Sequence, residues 1–153
     1  LQCMWCHNPE GQSLKPQPLT KQGRTETCGY SIDAETLAAR IRRDEDIFRD
    51  SGGGVTFTGG DPMFHPEGFT LLAQMIKSQS HKTIWCYTGY RFEDLLKHPL
   101  RRKLVELCDV IVDGRYIEEE RDLSLHFRGS RNQRIIDVAN PTLLNKIVEY
   151  KLY

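Results

Sequence analysis

The chain is predicted to be an α/β domain built on a parallel sheet, and three observations predict it. Short runs rich in β-branched and aromatic residues recur at 55–58, 83–88, 110–113 and 133–138. Stretches with apolar residues at helical spacing separate the first three of them. The runs at 55–58, 83–88 and 110–113 each close on a glycine-containing turn: Gly59-Gly60, Gly89 and Gly114. Strands alternating with helices imply parallel neighbours joined by right-handed crossovers. With 153 residues the chain suits a single core, so residues 1–153 are expected to form one domain.

Taken in order, residues 9–31 are expected to be an irregular loop. Pro9, Pro16 and Pro18, with Gly11, Gly23 and Gly29, interrupt any regular period there. Cys28 within it reads as a free thiol. A helix is predicted over 33–49, capped by Ser31 or Asp33, with Leu37, Ile41 and Phe48 on one face. Arg40, Arg42, Arg43, Asp44 and Glu45 fall largely outside that face, as a solvated side should. Gly52, Gly53 and Gly54 end it, and a strand follows over 55–58. The next helix, 66–80, starts with Pro66, which suits a first turn, and lines up Phe69, Leu72, Ala73 and Ile76. After the strand at 83–88 come short helices over 92–97 and 100–107, then the strand at 110–113. Residues 115–132 are polar and irregular, with an acidic run Glu118-Glu119-Glu120. A strand over 133–138 and a terminal strand or helix over 146–152 complete the reading. There is no internal repeat and no low-complexity tract.

Composition removes several function classes. Lys plus Arg and Asp plus Glu both total 21, so no polycation is available for nucleic acid or an anionic membrane. No apolar run approaches the roughly 20 residues of a membrane span, and no signal peptide is visible. Five cysteines without framework spacing suit a reducing cytoplasm.

The chemistry concentrates at two places. Cys3-Met4-Trp5-Cys6-His7 sets two thiols three positions apart, where one turn can grip a single metal centre. Zinc, a redox disulfide and covalent haem attachment compete with an iron–sulfur cluster for such a pair. A zinc knuckle lacks its second pair, because Cys28, Cys86 and Cys108 are isolated. A haem would need an apolar pocket, and a thioredoxin-like site would open a helix rather than the turn Asn8-Pro9-Glu10-Gly11. The second place is the set of strand ends, where parallel sheets collect ligands. Thr58-Gly59-Gly60-Asp61, Tyr87-Thr88-Gly89-Tyr90 and Asp113-Gly114-Arg115 each close a strand.

Together, Cys-x-aromatic-Cys-His-Asn-Pro-Glu and the later Gly59-Gly60-Asp61-Pro62 resemble the radical S-adenosylmethionine (AdoMet) enzymes, and within them the activating enzymes of glycyl-radical enzymes. That family carries Cys-x-x-x-Cys-x-x-Cys. Its first cysteine would precede Leu1, so the chain is expected to be a fragment that begins inside the motif. The implied fold is a partial (βα) barrel whose first strand lies upstream. The resemblance implies a 4Fe-4S cluster on Cys3, Cys6 and a third thiolate. It also implies AdoMet contacts from Trp5 near adenine, from Gly59, Gly60 and Asp61 at the methionine ammonium, and from Thr88 at the ribose. Arg115 then lies near the methionine carboxylate, with Asp113 orienting it and His7 beside the cluster. As alternatives, Asp61 only caps its turn and Trp5 only shields the cluster.

The implied reaction uses a one-electron donor such as flavodoxin and places a radical on a glycine of a partner enzyme. Residues 83–138 resemble most closely the activators of anaerobic ribonucleotide reductase. The motifs Cys6-His7-Asn8-Pro9-Glu10 and Gly53-Gly54-Val55-Thr56 fit activators of pyruvate formate-lyase equally well. A non-catalytic metal-binding or redox module is the opposing class, and it leaves the Gly-Gly-Asp-Pro turn unexplained. Arg128 and Arg131, on a polar stretch too charged for the core, are expected to hold AdoMet or dock the partner's glycyl-radical loop. In the same stretch, Asn132 and Gln133 have the alternative role of satisfying backbone groups.

Overall fold

In a computed structural model the chain is described over residues 15–21, 23–45, 53–58 and 60–139. Strands β3 (Val55–Phe57), β4 (Ile84–Tyr87), β5 (Val110–Asp113) and β6 (Arg134–Asp137) form one sheet in that order. The first three are parallel neighbours, in register at Phe57↔Cys86 and Cys86↔Ile111. β6 departs from the parallel expectation and runs antiparallel to β5, with Asp113 opposite Arg134. The cause is the connection between them. Residues 114–133 contain one short 3₁₀ turn, Glu118–Glu120, and no crossover helix, so the chain turns back at the same end of the sheet.

Helices α1 (Ala34–Arg43), α2 (Pro66–Gln79), α3 (Phe92–Lys97) and α4 (Pro99–Val105) supply the apolar layer. α1 packs on α2, and α2 on α4. Asp33 caps α1: its Oδ1 accepts from the Thr36 amide at 2.7 Å and its Oδ2 from the Thr36 hydroxyl at 2.7 Å. The apolar stripes place Ala38, Leu72, Ala73, Ile76, Leu95 and Leu104 in the core. α1 stops at Arg43, where Asp44 leaves helical geometry as the C-cap, short of the predicted end at Arg49. Residues 46–49, with Phe48, and the element predicted over 146–152 lie outside the described residues.

Alternation along the strands divides the sheet into two faces. Phe57, Ile84, Cys86, Ile111 and Ile136 belong to the large helix-side cluster. Trp85, Tyr87, Val110, Val112 and Ile135 form a second cluster on the opposite face. β5 is therefore buried along its whole length, as expected of an interior strand. The start of β3 is tight. A Cβ added to Gly54 would sit 2.5 Å from the Thr83 carbonyl oxygen, which receives the Val55 amide at 2.8 Å.

The stretch predicted as an irregular loop contains a β-hairpin. β1 (Gln17–Lys21) and β2 (Arg24–Cys28) pair antiparallel, from Gln17↔Cys28 to Lys21↔Arg24. Gly23 supplies the positive φ (76°) that a two-residue turn needs, and Thr20 and Thr25 share a hydroxyl bond at 3.0 Å. Pro18 is tolerated because both strands of a two-stranded ribbon are edges.

Candidate functional site at the strand ends

The carboxyl ends of β3, β4 and β5 are joined sideways by a chain of hydrogen bonds. After β3 the backbone enters a 3₁₀ turn, Pro62–Phe64, capped by Asp61. The Asp61 Oδ1 accepts from the Met63 amide at 3.0 Å. Its Oδ2 accepts from the Thr88 hydroxyl at 3.0 Å and from the Gly89 amide at 2.9 Å, both beyond β4. Thr88 Oγ1 in turn accepts from the Tyr90 amide at 3.1 Å. The Tyr90 carbonyl receives the Gly114 amide at 3.0 Å, so the β4 turn is tied to the β5 turn. Gly114 adopts φ 98°, a conformation reserved in practice for glycine.

The residues beyond β5 continue the chain. Gln133 donates through Nε2 to the Gly114 carbonyl at 3.0 Å, and its Oε1 accepts from the Gly129 amide at 2.9 Å and the Ser130 amide at 3.2 Å. Asn132 donates to the Arg115 carbonyl at 2.7 Å. Both amides thus satisfy backbone groups. Arg128 donates to the Gln133 carbonyl at 2.8 Å, and Arg131 pairs with Asp122 at 3.1 Å while its side chain stays 72% exposed. Asp122 is held at a pKa of about 2, chiefly by the hydroxyl and amide of Ser124 and then by Arg131.

Electrostatics centre on Asp113, which is fully buried. It accepts from the Phe92 amide at 2.8 Å and from Arg134 Nε at 2.9 Å, and a second Arg134 nitrogen meets its other oxygen. Arg91 lies 3.7 Å away. Arg134 also grips Glu93 through two nitrogens, at 3.0 and 2.9 Å. That bidentate bond holds the Glu93 carboxyl at a pKa of about 2. A buried carboxylate is tolerated only with such partners. Glu93 was not singled out from sequence, because its partnership with Arg134 spans 41 positions and no short motif announces it.

Of the residues predicted for the site, Asp61 and Thr88 touch each other directly, and Asp113 closes β5 beside Arg115. Arg115 is exposed, and its side chain forms no ion pair or hydrogen bond with a described residue. Cys3, Trp5, Cys6, His7 and Gly59 lie outside the described residues. Among the described residues, no three His, Cys, Asp or Glu side chains are placed to hold a metal ion. Cys28, Cys86 and Cys108 are free thiols. A hydrogen bond with Cys108, followed by burial, pushes the Cys86 thiol pKa up, so Cys86 is an inert core residue rather than a thiolate ligand.

Two observations bear on whether these residues suit AdoMet. A Cβ added at Gly60 would meet no atom of the described residues beyond its chain neighbours within 4 Å, and Gly60 has no positive φ. The fold therefore does not require glycine there, and the gap suits a ligand approaching the backbone. Arg115, without an ion-pair partner among the described residues, offers a cation next to the same edge, fitting a carboxylate. Upstream, two thiolates at this spacing match the soft donor set of an iron–sulfur cluster.

Comparison with known proteins gives the same direction. A family model described as a 4Fe-4S single cluster domain matches residues 1–136. The anaerobic ribonucleoside-triphosphate reductase-activating protein of Haemophilus influenzae is 41% identical over 136 residues, covering 87% of this chain and 78% of that protein. The Pasteurella multocida protein of that name is 36% identical over 137 residues, with coverage of 87% and 78%. The Escherichia coli K12 protein is 31% identical over 137 residues, with coverage of 86% and 78%. No solved structure matches the chain. The chain belongs to the 4Fe-4S single cluster domain family and to the anaerobic ribonucleoside-triphosphate reductase-activating proteins.

Proposed function

We propose that this chain binds AdoMet at the strand ends, beside a 4Fe-4S cluster held by Cys3, Cys6 and a third thiolate, and generates a glycyl radical on an anaerobic ribonucleotide reductase. The similarity to reductase-activating proteins over most of the chain carries this reading. When bound, the cluster would supply the electron for reductive cleavage of AdoMet, and AdoMet would supply the radical that takes a hydrogen from the partner's glycine. The chain's own residues bind and orient. Gly59 and Gly60 give the methionine moiety access to backbone. Arg115 neutralises its carboxylate, and Trp5 covers the adenine side. Arg131, exposed beyond β5, is available to the partner's loop, whereas Arg128 braces the segment that presents it.

The fold proposed for the whole protein is a partial (βα) barrel, of which β3, β4 and β5 are consecutive parallel members. Flavodoxin is proposed as electron donor and the cytoplasm as location; no described helix is long and apolar enough to cross a membrane. The test uses protein from the full reading frame, reconstituted with iron and sulfide without oxygen. A reduced-cluster EPR signal that changes on adding AdoMet is expected. Uptake of one zinc and no iron would overturn the proposal.

A further inference from the structure

We infer that Asp61 is a positioning residue: its carboxylate locks the end of β3 to the end of β4 and so fixes the two backbone turns that face the ligand. The ligand's identity rests on the function proposed above, but the lock does not. The β3–β4 ladder ends at Phe57 opposite Cys86, and the Asp61 carboxylate carries the connection onward to Thr88 and Gly89. Of about four lone-pair sites on a carboxylate, three are taken by protein donors, and Asp61 is only 7% exposed. Thr88 spends its single hydroxyl proton on Asp61 and accepts from Tyr90, so it too faces inward. Both side chains therefore act on the ligand through the turns they hold. The strand ends they join are separated by 27 positions in sequence. The other polar bridge between the two turns among the described residues is Arg101, which donates to the Met63 carbonyl and to the Tyr90 hydroxyl at 3.1 Å each.

The experiment compares Asp61→Asn, Thr88→Val, Thr88→Ser and the Asp61→Asn/Thr88→Val double variant in full-length, cluster-reconstituted protein. Asparagine preserves size but cannot accept from all three donors. Amide hydrogen exchange without AdoMet is read on peptides spanning 60–65 and 87–91, and AdoMet affinity by equilibrium dialysis. Asp61→Asn and Thr88→Val should each speed exchange in both segments and raise the AdoMet Kd about tenfold, the worth of one lost hydrogen bond. The double variant should be little worse than Asp61→Asn alone, because both changes break one lock. Thr88→Ser, which keeps the hydroxyl, should restore both readouts. Weakened AdoMet binding by Asp61→Asn with unchanged exchange and a silent Thr88→Val would overturn the lock in favour of direct contact. Faster exchange in a protein whose parent binds no AdoMet would uphold the lock and remove the ligand assignment.

Discussion

At Gly60, side-chain absence leaves space rather than relieving strain, and the two give opposite expectations for substitution. Where φ is positive, as at Gly114, any side chain strains the backbone. At Gly60 the Cβ of a valine meets no atom of the described residues beyond its chain neighbours within 4 Å, so the described fold should tolerate it. Gly60→Val is expected to leave the melting temperature and iron content near those of the parent while weakening AdoMet binding tenfold or more, on the order of 1.4 kcal/mol. Thermal unfolding, iron analysis and equilibrium dialysis check it, and unchanged AdoMet affinity would reduce the turn to a structural feature. The glycine pair and its acid were legible in the sequence as a strand-end turn. The partners of Asp61 were not, because nothing in Gly-Gly-Asp-Pro specifies a hydroxyl 27 positions later.

Among elements, helices and interior strands were legible and reversals were not. Residues 66–80 were predicted from apolar spacing and 92–97 as a short helix, and the helices Pro66–Gln79 and Phe92–Lys97 formed there. Neither has a side-chain N-cap, and Pro66 opens the first. The hairpin Gln17–Cys28 was hidden by its prolines, although a ribbon of two edge strands tolerates them. β6 was found but its direction was not, since direction depends on a connection lacking a helix. The start of β6 is pinned to α3 by Arg134 between Asp113 and Glu93. The folded Glu93 carboxyl titrates at about 2, below its ordinary 4.5. Its contribution to stability is therefore present above about pH 4.5 and is lost as pH falls from there toward 2. Glu93→Gln should be less stable than the parent at pH 7, with the difference shrinking over that window. Urea unfolding at a series of pH values measures it, and a difference independent of pH would rule out the ion pair as its source.

For the whole molecule, the sheet divides labour between its ends and faces. Helices α1, α2 and α4 bury one face, while the carboxyl edge carries Asp61, Thr88, Asp113 and Arg115, braced laterally from β3 to the residues beyond β5. The family was legible from the cysteine pair with the Gly-Gly-Asp-Pro turn, and relatives bearing one name over most of the chain agree. The central claim is that this edge serves radical transfer to a reductase. The most direct measurement mixes full-length, cluster-reconstituted protein with purified anaerobic ribonucleotide reductase, AdoMet and a one-electron reductant, and reads the reductase by EPR. A glycyl radical on the reductase is predicted, with its yield lowered more than cluster content by Arg131→Ala. A radical that forms on pyruvate formate-lyase and never on the reductase would contradict it.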